Sequence, residues 1–297
     1  MIHFKPIEID DFEKANDIFK KYNIENCDHC FATMVVWSFR HPVEIAIEEN
    51  TVFMRTQGPH TSWYLSPTGE MPLKEAIQLL IEDGRADGHK VKIFALDKAQ
   101  KDILEGDFPN QFEVELDRDA ADYIYSSEDL RTLPGKNYQK KRNHCSRFVR
   151  DFPDYKFHLI TKENIEIAKQ FELDWCARYN CDEARGLFAE QKGIMALLNN
   201  YDRMDLVGAM IETGGEIVAM SIAAPLNERM VDVIVEKAYH DVNGAYAIIN
   251  RDFAINCFEK FQFINREDDM GEENLRKAKL SYFPYEIRDK YLAKYID

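Results

Sequence analysis

Along this chain, stretches in which apolar and polar residues alternate, as is typical of strands, are interleaved with amphipathic helical stretches. In the first half the pattern predicts strands at 2–7, 43–48, 51–56, 62–65, 90–95, 112–116 and 123–125. It predicts helices at 10–22, 30–39, 72–83 and 98–105. The order is a strand, two helices, three meandering strands, a helix, a strand and a helix.

The second half repeats this order. Its predicted strands lie at 155–160, 206–212, 217–224, 230–237 and 261–264, and its predicted helices at 163–178, 188–199, 245–260 and 273–280. Two copies of one order predict an α/β (α+β) fold of two related domains with mixed, mostly antiparallel sheets. We expect an N-terminal domain at 1–125, a basic connecting helix at 126–152 and a C-terminal domain at 153–297 that carries the site.

The connecting helix is strongly basic. Residues 131–150 hold seven basic side chains and no acid, although the whole chain has a formal net charge of -15. At 100° per residue, the helix presents an outer basic stripe, here called the basic stripe, formed by Lys136, Lys140, Arg147 and Arg150, with Asn143 among them. Its apolar face is predicted from Tyr138, Cys145, Val149 and Phe152. Lys141 and Arg142 flank that apolar face, where a cation needs a carboxylate, a carbonyl or a ligand. The alternative is a solvated helix face with packed aliphatic stems.

Composition narrows the class of protein. The 297 residues suit two medium domains, and no apolar stretch approaches the roughly 20 residues that span a bilayer. The acidic start favours a cytoplasmic protein, with peripheral contact to a membrane as one option.

The six cysteines are expected to be reduced thiols in that compartment. Cys27-Asp-His-Cys30 resembles half of a zinc site, but no second pair matches it, so we predict no metal site.

Short motifs, most of them after residue 122, carry a resemblance to a known family. They are Tyr123-Ile-Tyr-Ser126, Gly135-Lys136, Lys140-Lys-Arg-Asn143, Val235-Glu-Lys237, Asn243-Gly-Ala245, Asn250, Ile264-Asn-Arg-Glu-Asp-Asp269, Leu275-Arg-Lys-Ala-Lys279 and Ser281-Tyr-Phe-Pro284. With the order of elements, they resemble an uncharacterised bacterial family related to the C-terminal domain of phosphatidylglycerol lysyltransferase, in the tandem GNAT-like acyltransferase superfamily.

The resemblance implies two tandem GNAT-like (acyl-CoA N-acyltransferase-like) domains. It also implies an enzyme that moves an aminoacyl group from aminoacyl-tRNA onto the glycerol hydroxyl of a phospholipid. The tail departs from the family, because a Trp-Glu-Pro-Arg-Tyr run is expected where this chain reads Tyr285-Glu-Ile-Arg-Asp-Lys-Tyr291. We therefore expect either a lipid or a small molecule as the acceptor.

Three residues are candidate catalytic groups. Glu236 ends an apolar strand and could deprotonate an attacking amine or hydroxyl, or form an ion pair with Lys237 or the basic helix. Asp268 lies in a loop after a short strand and is the second candidate base, although acids before a helix also stabilise its N-terminus. Lys279 could stabilise an oxyanion on the ester carbonyl, or simply pack its aliphatic stem.

Other polar residues are candidate substrate ligands. The predicted set is Lys141, Arg142, Asn143, Asn243, Gly244, Asn250, Arg266, Glu267 and Arg276. The basic stripe would face phosphates or tRNA. The single glycine in Asn243-Gly244, after Asp241, argues against a loop that holds the pyrophosphate of coenzyme A, although it could also be an ordinary turn.

The predicted function is acyl transfer, specifically direct transfer of an aminoacyl group to a lipid or small-molecule acceptor. No cofactor is expected beyond the acyl donor, which is aminoacyl-tRNA or acyl-CoA. The expected partners are tRNA or another phosphate-bearing donor and a lipid headgroup at a membrane surface. Two alternatives stay open: an acyl-CoA-dependent GNAT N-acyltransferase, and a non-catalytic protein that binds RNA or a lipid headgroup.

Overall fold

A computed structural model describes residues 2–181 and 185–296. The strands of the first half are β1 (Lys5–Pro6), β2 (Val43–Glu48), β3 (Thr51–Gln57), β4 (Thr61–Leu65), β5 (Thr68–Gly69), β6 (Lys90–Leu96), β7 (Phe112–Leu116) and β8 (Asp122–Ser126). The helices are α1 (Phe12–Lys21), α2 (Phe31–Trp37), α3 (Leu73–Ala86), α4 (Lys98–Asp107) and α5 (Ser127–Thr132). The Ser126 side chain caps α5 by accepting a hydrogen bond from the amide of Asp129.

The second half adds helices α6 (Gln139–Asp151), α7 (Ile165–Arg178), α8 (Arg185–Asn199), α9 (Ala245–Cys257) and α10 (Glu273–Leu280). Its strands are β9 (Lys156–Leu159), β10 (Val207–Thr213), β11 (Glu216–Pro225), β12 (Met230–Ala238), β13 (Phe263–Asn265), β14 (Glu286–Arg288) and β15 (Tyr291–Tyr295). The pattern of hydrophobic residues did not predict β5, β14 and β15.

The strands form two mixed sheets, which confirms the predicted fold class. The first has the order β1-β2-β3-β4-β6-β15-β7, with β5 on β3, and the second has the order β14-β8-β13-β12-β11-β10-β9. Each sheet is antiparallel except for one parallel pair, which is β4 with β6 in the first sheet and β12 with β13 in the second. An apolar core between the two halves joins α2 to α8, where Gly193 lies so close to Val36 that an added Cβ would be 2.6 Å from its backbone.

The two sheets exchange strands across the expected domain boundaries. All of β8 except its last residue falls within the predicted N-terminal domain, but the strand lies in the second sheet between β14 and β13. β15 falls within the predicted C-terminal domain, but it lies in the first sheet between β6 and β7. The sheets therefore divide the chain differently from a cut at 125 and 153.

The parallel pair β12 and β13 opens into a fork. The two strands are paired only from Met230 with Phe263 to Asp232 with Asn265, and β12 then continues to Ala238 paired with β11 alone. A bulge at Ile234 interrupts its pairing with β11, since Val233 and Val235 face consecutive residues there. An extra residue reverses the alternation of side chains. Consequently Asp232 contacts α2, whereas Glu236 contacts α9.

Helix α6 has the predicted amphipathic character with one correction. Tyr138 and Cys145 are buried as expected, together with Phe148. Val149, which was predicted for the apolar face, is 38% exposed. Phe148 takes the inward position because it follows Cys145 by three residues, which keeps it on the buried side of the helix.

The expectation of six reduced cysteines is wrong. Cys176 and Cys181 form a disulfide, because the chain turns back after α7 and brings their Cα atoms within 5.0 Å. Cys27, Cys30, Cys145 and Cys257 are free thiols. None of the helices among residues 2–181 and 185–296 has the length and apolar character needed to cross a bilayer.

Candidate active site

A buried ion pair closes the fork between β12 and the loop after β13. The Glu236 Oε1 atom lies 2.7 Å from Nη2 of Arg266, and the two side chains are 14% and 11% exposed. The Asn250 Nδ2 atom, from α9, donates to the other carboxylate oxygen at 3.0 Å. Among the described residues, Arg266 Nη1 and Asn250 Oδ1 are buried without a hydrogen-bond partner. The fork thus contains a paired carboxylate, one unused donor and one unused acceptor.

Aromatic rings form the walls around Arg266. Its guanidinium carbon lies 4.8 Å from the ring centroid of Tyr282 and 5.5 Å from that of Tyr125. The Tyr125 hydroxyl donates to the carbonyl of Lys279 at 2.8 Å, which ties β8 to α10. These contacts fix the guanidinium in a site of low polarity, where its electrostatic effect is greatest.

Lys141 approaches the same cluster from α6. Its Nζ atom lies 3.5 Å from the ring centroid of Tyr282. No carboxylate of the described chain lies within ion-pair distance of it. Burial, and then the positive charge of Arg266, lower the pKa of Lys141 to about 8. Two cations therefore face the single carboxylate of Glu236, and the cluster suits a ligand that carries or develops negative charge.

Lys279 lies behind the fork and holds the loop that follows β13. Its Nζ atom donates to the carbonyl of Arg266 at 2.5 Å and also to the carbonyl of Asp268. Burial lowers the pKa of this ammonium, and the neighbouring Glu267 carboxyl opposes that shift. The geometry gives Lys279 a role in fixing the loop, and the predicted oxyanion role would have to use its remaining hydrogen.

The acids of the loop face different partners. Burial raises the pKa of Asp268 to about 6, and its carboxylate accepts a hydrogen bond from the amide of Met270 at 3.0 Å. The Glu267 carboxyl lies 3.0 Å from the hydroxyl of Thr33 of α2. Arg276 donates two hydrogen bonds of 2.8 Å to the buried carboxylate of Asp269. Of the predicted loop ligands, only Arg266 enters the fork.

Four further candidates lie outside the cluster. Arg142 donates to the carbonyl of Leu133 and to Gln139, so it caps the turn before α6. Asn143 and Asn243 are exposed. Gly244 adopts a φ of +90°, and an added Cβ would lie 2.7 Å from the carbonyl oxygen of His144 in α6. The glycine therefore permits close packing of α9 on α6.

The basic stripe is exposed, and besides burial the charge of Lys140 contributes to the lowered pKa of Lys141. Lys136 and Lys140 make no ion pair within the described chain, whereas Arg147 and Arg150 both contact Asp151 at 3.4 and 3.0 Å. The two lysines are thus the more available cations of the stripe.

A second buried polar network was not predicted. Lys290, which is 2% exposed, lies 2.6 Å from Asp122 and 2.5 Å from Asp28. The Cys27 thiol donates to Asp122 at 3.0 Å, so the pattern that resembled half a zinc site anchors the N-terminal half to β8. The sequence signal for it was the lone acid Asp232 in the apolar run of β12, whose pKa is influenced by both Asp122 and Lys290. The sequence analysis included Tyr125 and Tyr282 only as members of the family motifs and did not predict that their rings line the site.

Comparisons with known proteins agree with this architecture. The family described as phosphatidylglycerol lysyltransferase, C-terminal, matches residues 19–294. A conserved protein of unknown function from Bacteroides thetaiotaomicron is 36% identical, with a TM-score of 0.93 over 100% of both chains. An uncharacterised protein of Mycoplasmoides gallisepticum is 24% identical over 63% of this chain, and the match spans 60% of that relative.

Two other solved structures share the fold at low identity. The C-terminal domain of a putative lysylphosphatidylglycerol synthetase from Agrobacterium fabrum has a TM-score of 0.69 at 13% identity, over 97% of this chain and 92% of that one. L-PGS from Bacillus licheniformis has a TM-score of 0.58 at 17% identity, over 83% and 81% of the two chains. These likenesses show that the chain shares the fold of these two proteins.

Proposed function

Because the chain belongs to the phosphatidylglycerol lysyltransferase C-terminal family, we propose that it is an acyltransferase whose active site is the fork between β12 and β13. The observation that carries this proposal is the placement of Lys141. It lies half-buried beside Arg266, without a carboxylate partner in the described chain. A cation in such a place is costly unless a ligand uses its charge.

We assign the finer reaction as direct transfer of an aminoacyl group from aminoacyl-tRNA to a lipid or small-molecule acceptor. The acceptor hydroxyl or amine attacks the ester carbonyl, and Glu236 takes the proton from the attacking atom. The ester bond to the ribose oxygen then breaks, and that oxygen takes the proton as it leaves. Lys141 and Arg266 stabilise the negative charge that develops on the carbonyl oxygen.

Glu236 is the preferred base because its carboxylate lies in the same cluster as the two cations. Burial raises the pKa of Asp268 to about 6, but the charges that influence it most are Lys290 and Asp28, which belong to the second polar network. Asp268 therefore supports the loop in this proposal, and its substitution is a useful comparison with that of Glu236.

Two features support tRNA over coenzyme A as the donor. Lys136 and Lys140 of the basic stripe offer unpaired charge to phosphates close to the fork. The start of α9, where a pyrophosphate would bind in a glycine-rich loop, is instead packed against the carbonyl of His144 through Gly244. A carbonyl oxygen at that position disfavours an anion.

The deciding experiment offers the protein a mixture of charged tRNAs and acyl-CoAs, with phospholipid vesicles and small amines as acceptors. Mass analysis then identifies which donor is discharged and which acceptor gains mass. Discharge of aminoacyl-tRNA that is lost in Glu236→Gln and Lys141→Ala, and kept in Lys140→Ala at saturating donor, supports the proposal. Discharge of acyl-CoA alone would assign the alternative GNAT N-acyltransferase reaction. Salt-sensitive tRNA binding without any turnover would assign a non-catalytic binding protein.

A further inference from the structure

The hydroxyl of Thr33 bridges two carboxyl groups at the base of the fork. Thr33 belongs to α2 of the N-terminal half and is 5% exposed. Its Oγ1 atom lies 3.2 Å from Oδ2 of Asp232 and 3.0 Å from Oε1 of Glu267. Asp232 is the last residue of β12 that pairs with β13, and Glu267 is the second residue after β13. The hydroxyl therefore joins the two arms of the fork at the point where they separate.

The number of hydrogens available to the bridge determines whether the two carboxyl groups are protonated. A threonine hydroxyl has one hydrogen, so it can donate to only one of the two carboxyl groups at a time. The second contact is a hydrogen bond only if that carboxyl carries a proton and donates it to Oγ1. The bridge is complete with a single proton shared between Asp232 and Glu267, and two buried carboxylates around one hydroxyl would repel each other.

The charged and titratable groups around the bridge come from every element packed against it. They are Cys30 beside α2, Asp122 of β8, Asp268 of the loop, Lys279 of α10 and Lys290 before β15. Both lysines are engaged elsewhere, Lys290 with Asp122 and Asp28, and Lys279 with two carbonyls. Burial raises the pKa of Asp232 and of Glu267, and repulsion from neighbouring acids raises each further.

We infer that Thr33 is a positioning residue, through which the N-terminal half sets the geometry of the fork by way of one proton shared between Asp232 and Glu267. Glu267 directly follows Arg266, so holding its carboxyl also holds the backbone of the guanidinium that pairs with Glu236. The catalytic part of this inference rests on the proposed function. The shared proton does not, and it is tested separately.

Thermal unfolding between pH 5 and pH 8 tests the shared proton without any substrate. A carboxyl with a raised pKa in the folded state holds its proton more tightly than in the unfolded chain, whose value is near 4. Folding stability is therefore lost as pH rises from about 4 towards the raised value. Asp232→Asn removes this titration, so its Tm relative to wild type should rise by several degrees from pH 5 to pH 8. Parallel Tm profiles for the two proteins would overturn the shared proton.

Transfer kinetics test the positioning role. Thr33→Val removes the hydroxyl at nearly constant shape and should lower kcat about tenfold or more, with KM for the donor changed much less. Thr33→Ser restores the hydroxyl and should recover the rate to within about twofold. Thr68→Val is the matched control, since Thr68 is another buried threonine of the N-terminal half whose hydroxyl has no partner in the described chain.

The two experiments separate the possible failures. A wild-type protein that transfers nothing, but shows the Tm difference, would refute the proposed function and leave the shared proton intact. An active protein in which Thr33→Val is as fast as Thr33→Ser and Thr68→Val would refute the positioning role alone.

Discussion

Glu236 and Arg266 are joined by a 2.7 Å ion pair across two strands that run side by side only as far as Asp232 and Asn265. The bulge at Ile234 turns Glu236 towards α9 and so towards its partner. This pair links the two arms of the fork beyond the point where they separate, and the Thr33 bridge links them at that point.

Breaking the pair should affect both stability and rate. Arg266→Met leaves a buried carboxylate without its cation, so we expect the free energy of unfolding to fall by about 3 kcal/mol, measured in urea. Glu236→Gln should lower kcat by about 10²- to 10⁴-fold. The control is Glu228→Gln at an exposed position. Transfer at the wild-type rate in Glu236→Gln would remove Glu236 as the base.

Lys141 should give the reaction an alkaline limit. With its pKa lowered to about 8, the ammonium is lost as pH rises through 8, well before an ordinary lysine would lose its proton. We expect kcat/KM to fall about tenfold per pH unit above that value. Lys141→Arg should remain charged and shift the limit upwards, and Lys141→Ala should be about 100-fold slower at pH 7 and show no fall in rate through pH 8. Initial rates over short times avoid the hydrolysis of the ester in alkaline solution, and a pH profile in Lys141→Ala that matched wild type would contradict the assignment.

The basic stripe should contribute to donor binding in proportion to its unpaired charges. In the double variant Lys136→Ala, Lys140→Ala, the slope of log Kd for tRNA against log salt concentration should decrease by about 1.5. Substitution of Arg147 and Arg150 should have a smaller effect, because Asp151 already neutralises part of their charge. Fluorescence anisotropy between low and moderate salt measures this. Lys14→Ala, Lys90→Ala is the control, because both lysines are exposed and make no ion pair within the described chain, and an equal loss of slope there would show non-specific attraction only.

Gly244 should not tolerate a side chain. Its φ of +90° and the 2.7 Å approach of the His144 carbonyl predict that Gly244→Ala lowers the free energy of unfolding by about 2 kcal/mol. Gly106→Ala, in the last turn of α4 with no atom within 4 Å of an added Cβ, should be stabilising by about 0.5 kcal/mol. Chemical denaturation of the two variants checks the contrast, which would be contradicted by equal effects.

The sequence predicted most of the regular elements, because their hydrophobic patterns are local. β2, β7 and α10 have the predicted bounds. The strands that escaped prediction are short or pair over long distances, as when Tyr291 lies opposite both Leu96 and Leu116. No local pattern marks such a partner.

The site was partly predictable for the same reason. The helical geometry around Lys141 identified a cation that leaned towards the core, and the ends of two strands pointed to Glu236 and Arg266. The bulge at Ile234 depends on pairing with β11, and the Thr33 bridge depends on contact between the two halves. These relationships arise only in the folded chain.

The position of β15 has a consequence for folding during synthesis on the ribosome. A ribosome that has made β6 and β7 has not yet made the strand that separates them, because β15 ends at Tyr295. The first sheet therefore cannot reach its native strand order while the nascent chain is still short. The first sheet must stay incomplete until β15 has been synthesised, and β15 follows every element of the second sheet, so the two halves should reach their native state together.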